Sequence, residues 1–500
     1  MADDAAPTPD PTLSATGISG LDDVLRGGLT RDRIYLVEGV PGSGKTTLAM
    51  QFLLEGARRG ERVLYVTLSE TAQELTAVAA SHGWSLENVQ IHELVPTVEE
   101  LESDAPYTLF HPSEVELSQA TEGILSEVER VRPARVVFDS LSEIRLMAGT
   151  PLRYRRQILA LKRYFADCAC TVILLDDLTA TERDLQVQSI AHGVILLDQL
   201  NPEYGVERRR LRVVKYRGVP FRGGFHDYVI RRGGLRVFPR LVAAEYRQPV
   251  SELDLSSGIA GLDALLGGGL TQGTSTLVTG APGTGKSSLV TQFVHSALQR
   301  GEQAAMFVFD EGLDTLLARA KGLGMDLQPF LDSGQLMVQP IDPAELSPGE
   351  FAECIRHEVE DRDARVVVID SLNGYLNAMP EERFLIIQLH ELLTYLNQRG
   401  VATLMVTAQA GLIGPMQSPV DTTYLADTVM MLRYYEHAGQ VRQAISVIKK
   451  RAGSHERTIR EFRLDPGGIH VGEPLRRFRG VLTGVPVLDP GSHLEEKGGA

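Results

Sequence analysis

One stretch of about fifty residues occurs twice in this chain, without a gap, 241 positions apart. Gly17-Ile18-Ser19-Gly20-Leu21-Asp22 returns as Gly258-Ile259-Ala260-Gly261-Leu262-Asp263, and Glu70 returns as Glu311. Between them, Gly39-Val40-Pro41-Gly42-Ser43-Gly44-Lys45-Thr46 returns as Gly280-Ala281-Pro282-Gly283-Thr284-Gly285-Lys286-Ser287. A match of that length at a fixed offset is a duplicated domain, and internal duplication constrains a fold more than any single motif. Five hundred residues also exceed what one core usually serves.

Each copy follows one pattern. An apolar strand (IYLVEG or TSTLVTG) enters a Gly-rich loop, and a helix with apolar residues at helical spacing follows. A second strand comes next, RVLYVTL or AAMFVF. An apolar run ending in Asp-Ser (ARVVFDS, ARVVVIDS) then precedes a further helix and strand. Apolar strands alternating with helices predict an α/β fold: two tandem domains, each a mainly parallel sheet flanked by helices. We place a disordered, acidic, Pro-rich arm at 1–13, a first domain at 14–247, a second at 248–486 and a flexible tail at 487–500.

The repeated loop has the form G-x-x-x-x-G-K-[ST] in its required strand–loop–helix setting. Its glycines let backbone N–H groups wrap phosphates, and the helix N-terminus adds its dipole. Gly42, Ser43, Gly44, Lys45, Thr46 and Thr47 are the predicted nucleotide-binding residues of the first copy. Gly283, Thr284, Gly285, Lys286, Ser287 and Ser288 are those of the second. Lys45 and Lys286 are expected to reach the β- and γ-phosphates of ATP. Thr46 and Ser287, with the strand-end carboxylates Asp139 and Asp370, are expected to hold Mg²⁺. Hydrolysis also needs a carboxylate to orient or deprotonate water, and Glu70, Asp310 and Glu311 end the strand after each P-loop helix. The competing role for Glu70 is a solvated start of the next helix. Lys215, Arg217, Lys449 and Arg451, in the last strand region of each copy, are candidate cations for a neighbouring subunit's phosphates. They can equally be solvated strand-end charges.

A net charge of −15 gives a poor electrostatic footprint for coating nucleic acid. No apolar run reaches the roughly 18–20 residues of a spanning helix, and the start lacks a signal peptide's basic and apolar segments. Cys168, Cys170 and Cys354 make neither a disulfide framework nor a zinc site. We read Cys168 and Cys170 as buried structural residues and expect a cytoplasmic, reducing location.

Together the GIxGLD openings, the paired P-loops, the Asp-Ser strands, the Lys-x-Arg segments and Ser454-His455-Glu456-Arg457-Thr458-Ile459-Arg460-Glu461-Phe462 resemble the KaiC family of circadian clock and signalling ATPases. The resemblance spans roughly residues 14–486 and implies an α/β fold of two tandem RecA-like P-loop NTPase domains. It implies an ATP-dependent homohexamer with nucleotide between subunits, and KaiB-like or histidine-kinase/response-regulator signalling partners. It also implies Ser/Thr autokinase activity in the second domain. Counting back from Asp427 puts Thr423 at the family's first acceptor position, with Thr422 as the fallback and Tyr424 at the second. The chain departs from the family's paired glutamates with Ser69-Glu70 and Asp310-Glu311, and its tail is shorter than in clock members. Two other functions fit the same fold: a RecA/RadA-like DNA-repair ATPase, and a nucleotide-sensing scaffold that barely turns over.

Overall fold

The computed structural model describes residues 10–94, 112–178, 185–202, 205–246, 254–376, 382–409, 423–482 and 487–488. Residues 247–253, which hold the expected domain boundary, and Thr422 lie outside these. The chain divides into two compact units, Met1–Arg240 and Leu241–Ala500. Leu241, Ala243 and Tyr246, which the sequence boundary at 247 assigns to the first domain, pack against a core of the second unit. At the termini of the described chain, Leu13 pairs with Thr30 and Val487–Leu488 pair with Phe478–Arg479.

The first unit is built on nine strands: β1 (Ile34–Gly39), β2 (Val63–Thr67), β3 (Gln90–Glu93), β4 (Arg135–Asp139), β5 (Thr171–Asp177), β6 (Gly193–Leu200), β7 (Arg208–Tyr216), β8 (His226–Arg231) and β9 (Gly234–Phe238). Their order is β9-β8-β7-β6-β1-β5-β4-β2-β3. The run from β6 to β3 is parallel, and β7, β8 and β9 extend it antiparallel. The second unit repeats this with β10 (Ser275–Gly280), β11 (Gln303–Val308), β12 (Leu336–Pro340), β13 (Ala364–Asp370), β14 (Ala402–Ala408), β15 (Thr428–His437), β16 (Gln440–Lys450), β17 (Arg460–Asp465) and β18 (Gly468–Pro474). Its order, β18-β17-β16-β15-β10-β14-β13-β11-β12, is the same topology. These are tandem RecA-like α/β domains.

Every residue of β1 and β10 is buried, as expected for central strands covered on both faces. Successive side chains feed opposite cores: Tyr35 and Val37 join one cluster, Ile34 and Leu36 the other. The P-loop helices, α1 (Lys45–Arg58) and α3 (Lys286–Gln299), lie on the first of these faces and bury Leu48, Phe52 and Leu53, or Leu289, Phe293 and Val294. The next helices are α2 (Ala72–Ser81) and α4 (Leu313–Gly322). α2 starts at a capping box in which Thr71 accepts from the Glu74 N–H and the Glu74 side chain accepts from the Thr71 N–H.

One sequence expectation changes. Cys170 is buried, its thiol donating to the Pro133 carbonyl at 2.9 Å, but Cys168 is exposed. Cys168 is the C-cap of the helix Pro151–Asp167, where the chain turns at the surface before entering β5. The antiparallel extension β7–β9 has no P-loop-like motif and shows itself only in the assembled sheet.

His226 fastens that extension. Its Nδ1 accepts from the Arg240 N–H at 2.8 Å and its Nε2–H donates to the Arg222 carbonyl at 2.9 Å. Burial pushes its pKa down to about 4. The neutral ring is therefore the folded form, and protonation removes the acceptor that Arg240 needs. Stability from this group is complete above the unfolded value near 6.5 and is lost as pH falls from there toward 4. The first unit should be about 2 kcal/mol less stable at pH 5 than at pH 7.5 from this group alone. Urea unfolding at the two pH values checks this, and His226→Asn should reduce the difference.

Candidate ATP sites

The P-loops sit at the C-terminal ends of β1 and β10, each between neighbouring strand ends. In register, Gly39 lies beside Asp177 of β5, and Thr67 of β2 beside Asp139 of β4. In the second unit Gly280 lies beside Ala408, and Val308 beside Asp370. The sheet thus gathers the loop, the Walker-type aspartate and the following strand end at one edge, where open α/β sheets bind ligands.

Gly44 and Gly285 have φ of 91° and 95° just before each helix begins. A Cβ on Gly44 would stand 2.5 Å from Ile230 Cδ1, and one on Gly285 2.7 Å from Leu464 Cδ1. Only glycine meets both demands. Lys45 Nζ donates to the carbonyls of Gly39 (2.9 Å) and Val40 (3.2 Å) and pairs with Asp177 Oδ1 at 2.6 Å. Lys286 Nζ donates to the Ala281 carbonyl at 2.8 Å, and burial lowers its pKa. Ser43 is fully buried and its carbonyl accepts from Tyr228 OH, while Thr284 Oγ1 donates to the Ala281 carbonyl. Gly42 and Gly283 also hold positive φ, and Thr47 and Ser288 are buried on the helix.

Thr46 Oγ1 donates to Asp139 Oδ2 at 3.0 Å, and Tyr65 OH donates to the same oxygen at 2.6 Å. Asp370 has the Ser287 hydroxyl beside it. Burial is the main reason both aspartates have raised pKa values. Each buried carboxylate beside a P-loop hydroxyl makes a hard oxygen donor pair that fits Mg²⁺. No group of three or more His, Cys, Asp or Glu residues that could hold a metal occurs among the described residues. Mg²⁺ characteristically takes one or two carboxylates together with substrate phosphates, so this donor set is sufficient.

The candidate catalytic carboxylates differ between the units. Glu70 is outside α2, whose N-cap is Thr71, and its N–H and carbonyl both bond Thr67 Oγ1. Its Oε2 is buried with no hydrogen-bond partner among the described residues. Burial, then Asp139 and Glu74, raise its pKa. Glu311 is instead gripped by Arg319 of α4: Nε to Oε1 at 3.1 Å and Nη2 to Oε2 at 2.7 Å. Asp310 Oδ2 accepts from Ser371 Oγ at 2.5 Å.

Lys215, Arg217, Lys449 and Arg451 are not at these sites. In register Tyr216 lies beside Gly193, which lies beside Tyr35; Lys450 lies beside Thr428, which lies beside Thr276. These are the strand ends opposite the P-loops, and Gly39 and Gly280 are four residues farther on, about 13 Å. There Lys215 Nζ donates to the Gln188, Ser189 and Ala191 carbonyls, and Arg217 to that of Ser189. Lys449 Nζ donates to the Thr423 and Ala426 carbonyls, and Arg451 to the Tyr424 carbonyl and Asp427. Thr423 is exposed at this same end. Sequence alone did not single out Tyr65, Asp177 or Arg319, because strand register and helical phase bring them in.

A family model described as the KaiC ATPase matches residues 14–242 and again 255–476. The chain belongs to the KaiC family of ATPases. It is 27% identical over 492 residues to the circadian clock protein KaiC3 of Synechocystis sp., covering 97% of this chain and 96% of that protein. It is 29% identical to the circadian clock oscillator protein KaiC of Thermostichus vulcanus over 479 residues, covering 94% and 91%. The KaiC of Synechococcus elongatus matches at 29% over 491 residues, with the same coverages. No helix among the described residues of this family member is long and apolar enough to cross a membrane.

If both loops bind nucleotide, Lys45→Ala and Lys286→Ala should each remove about half of the ATP bound per chain, and the double variant nearly all. Equilibrium dialysis with labelled ATP measures this.

Proposed function

We propose that the protein is an ATP- and Mg²⁺-dependent homohexameric signalling ATPase whose nucleotides lie between subunits. The observation that supports this best is the separation of each unit's cations from its own P-loop by the length of the sheet. Lys215 and Arg217, or Lys449 and Arg451, complete a phosphate site only if another subunit presents one, and head-to-tail contacts of that kind close into a ring. In the first unit Arg33, Lys162 and His192 line one cavity with Arg217. Burial and this neighbouring positive charge lower the pKa of Lys162, His192 and Lys215, a surrounding that favours an incoming anion.

Within each site, Lys45 or Lys286 and the P-loop N–H groups bind and orient the phosphates. Asp139 with Thr46, or Asp370 with Ser287, would hold Mg²⁺, which supplies charge neutralisation at the phosphates. Glu70 and Glu311 act on the attacking water, as acceptors of its proton. Neighbour cations offset charge developing on the transferred group. Partners of the KaiB-like or response-regulator kind follow from the family alone. Size-exclusion light scattering tests the assembly. With ATP and Mg²⁺ the chain should elute as a hexamer, and Lys215→Ala/Arg217→Ala should weaken it; a strict monomer at micromolar concentration and saturating ATP would overturn it.

The same geometry supports autophosphorylation in trans. Thr423 shares its end of the sheet with Lys449 and Arg451, so a nucleotide that meets those cations also meets this hydroxyl. Its own P-loop is at the other end. Asp310 or Glu311 of the subunit that binds the nucleotide would accept the hydroxyl proton. Prolonged incubation with ATP followed by mass spectrometric site mapping should place phosphate on Thr423, with Thr422 the alternative; a hydrolysing preparation with neither labelled is an ATPase without a kinase.

A further inference from the structure

The duplication allows every residue near one site to be compared with its counterpart 241 positions away. Glu70 and Glu311 correspond, yet Arg319 corresponds to Val78, which is exposed on α2. Arg319 does more than pair with Glu311. Its Nη1 also donates to Ser288 Oγ at 3.2 Å, so one guanidinium joins the catalytic carboxylate to the P-loop helix α3. Thr47 stands at the position of Ser288 in the first unit, where no arginine among the described residues bridges it to Glu70.

We propose that Arg319 is a positioning residue that parks Glu311 and so slows ATP hydrolysis at the second site. This rests on Glu70 and Glu311 being the residues that act on water. A guanidinium fork occupies both carboxylate oxygens in two charge-assisted hydrogen bonds. An oxygen so engaged accepts poorly from water, and the third bond to Ser288 resists the side-chain swing that would release it. Glu70, with Oε2 buried and unengaged, carries no such restraint. The pair is about a quarter exposed on each side, so the grip is partly shielded from solvent and ions.

The test uses the full-length chain carrying Lys45→Ala, so that only the second site binds nucleotide. Arg319→Val, the first unit's counterpart, should speed single-turnover ATP hydrolysis on the order of tenfold, a part of the ~10²–10⁴ a general base contributes. Arg319→Lys, a point charge that cannot fork, should fall between. In an Glu311→Gln background the Arg319→Val gain should vanish. The bound ATP:ADP ratio, read by quench and chromatography, should fall in step. Without nucleotide, thermal unfolding of the single and double variants should show non-additive shifts, since each change removes the same pair. Unchanged or slower hydrolysis in both Arg319 variants, with Glu311→Gln still inactive, overturns the parking role and leaves the glutamate assignment intact. Full hydrolysis in Glu311→Gln overturns the glutamate assignment itself.

Discussion

The buried aspartate at the end of β4 or β13 is the constraint around which each unit is arranged. A carboxylate taken out of water is tolerated only with hydrogen-bonding partners or counter-charge. Asp139 obtains two from protein hydroxyls, Thr46 on the P-loop helix and Tyr65 on the neighbouring strand, with Lys45 close enough to favour its charge. Those contacts fix the helix start against two strand ends. The left-handed glycine before each helix, the fully buried central strand and the cores on both faces then follow as the means of holding that arrangement rigid.

The two units solve this problem with different residues on the same frame. Met306 stands where Tyr65 stands in the first unit, so Asp370 is without that phenol. Ala408 stands at the register position of Asp177, so Lys286 has no carboxylate at that strand end, whereas Lys45 pairs with one. Asp310 replaces Ser69 and is bonded by Ser371, next to the Walker-type aspartate. Arg319 replaces Val78. Duplication preserved the phosphate loop and the aspartate, while the groups around them diverged. That is the pattern expected when two sites keep one ligand but take different tasks.

Much of the site could be read before folding because its parts are local. A P-loop is eight consecutive residues whose spacing is the mechanism, and the aspartate ends an apolar run that marks its strand. The repeat doubled the weight of both. What stayed hidden depends on register or helical phase. Asp177 reaches Lys45 only because β5 lies beside β1, and Arg319 meets Glu311 and Ser288 only because the phase of α4 turns it back toward the strand end and the P-loop helix. The cations of the Lys-x-Arg segments were visible as charges, but their placement at the far end of the sheet needed the antiparallel β6–β7 and β15–β16 pairings. Cys168 was misjudged because an apolar strand follows it; the helix end that exposes it could not be located to the residue.

Two like-built sites that hold their proposed catalytic glutamates differently would be distinguished by a cryo-electron-microscopy map of the full chain with ATP and Mg²⁺. Triphosphate is expected on both P-loops, with Glu311 still forked by Arg319 and Glu70 turned toward the terminal phosphate. A map with Glu311 released and placed as Glu70 is, or with one P-loop carrying no phosphate, would contradict that expectation.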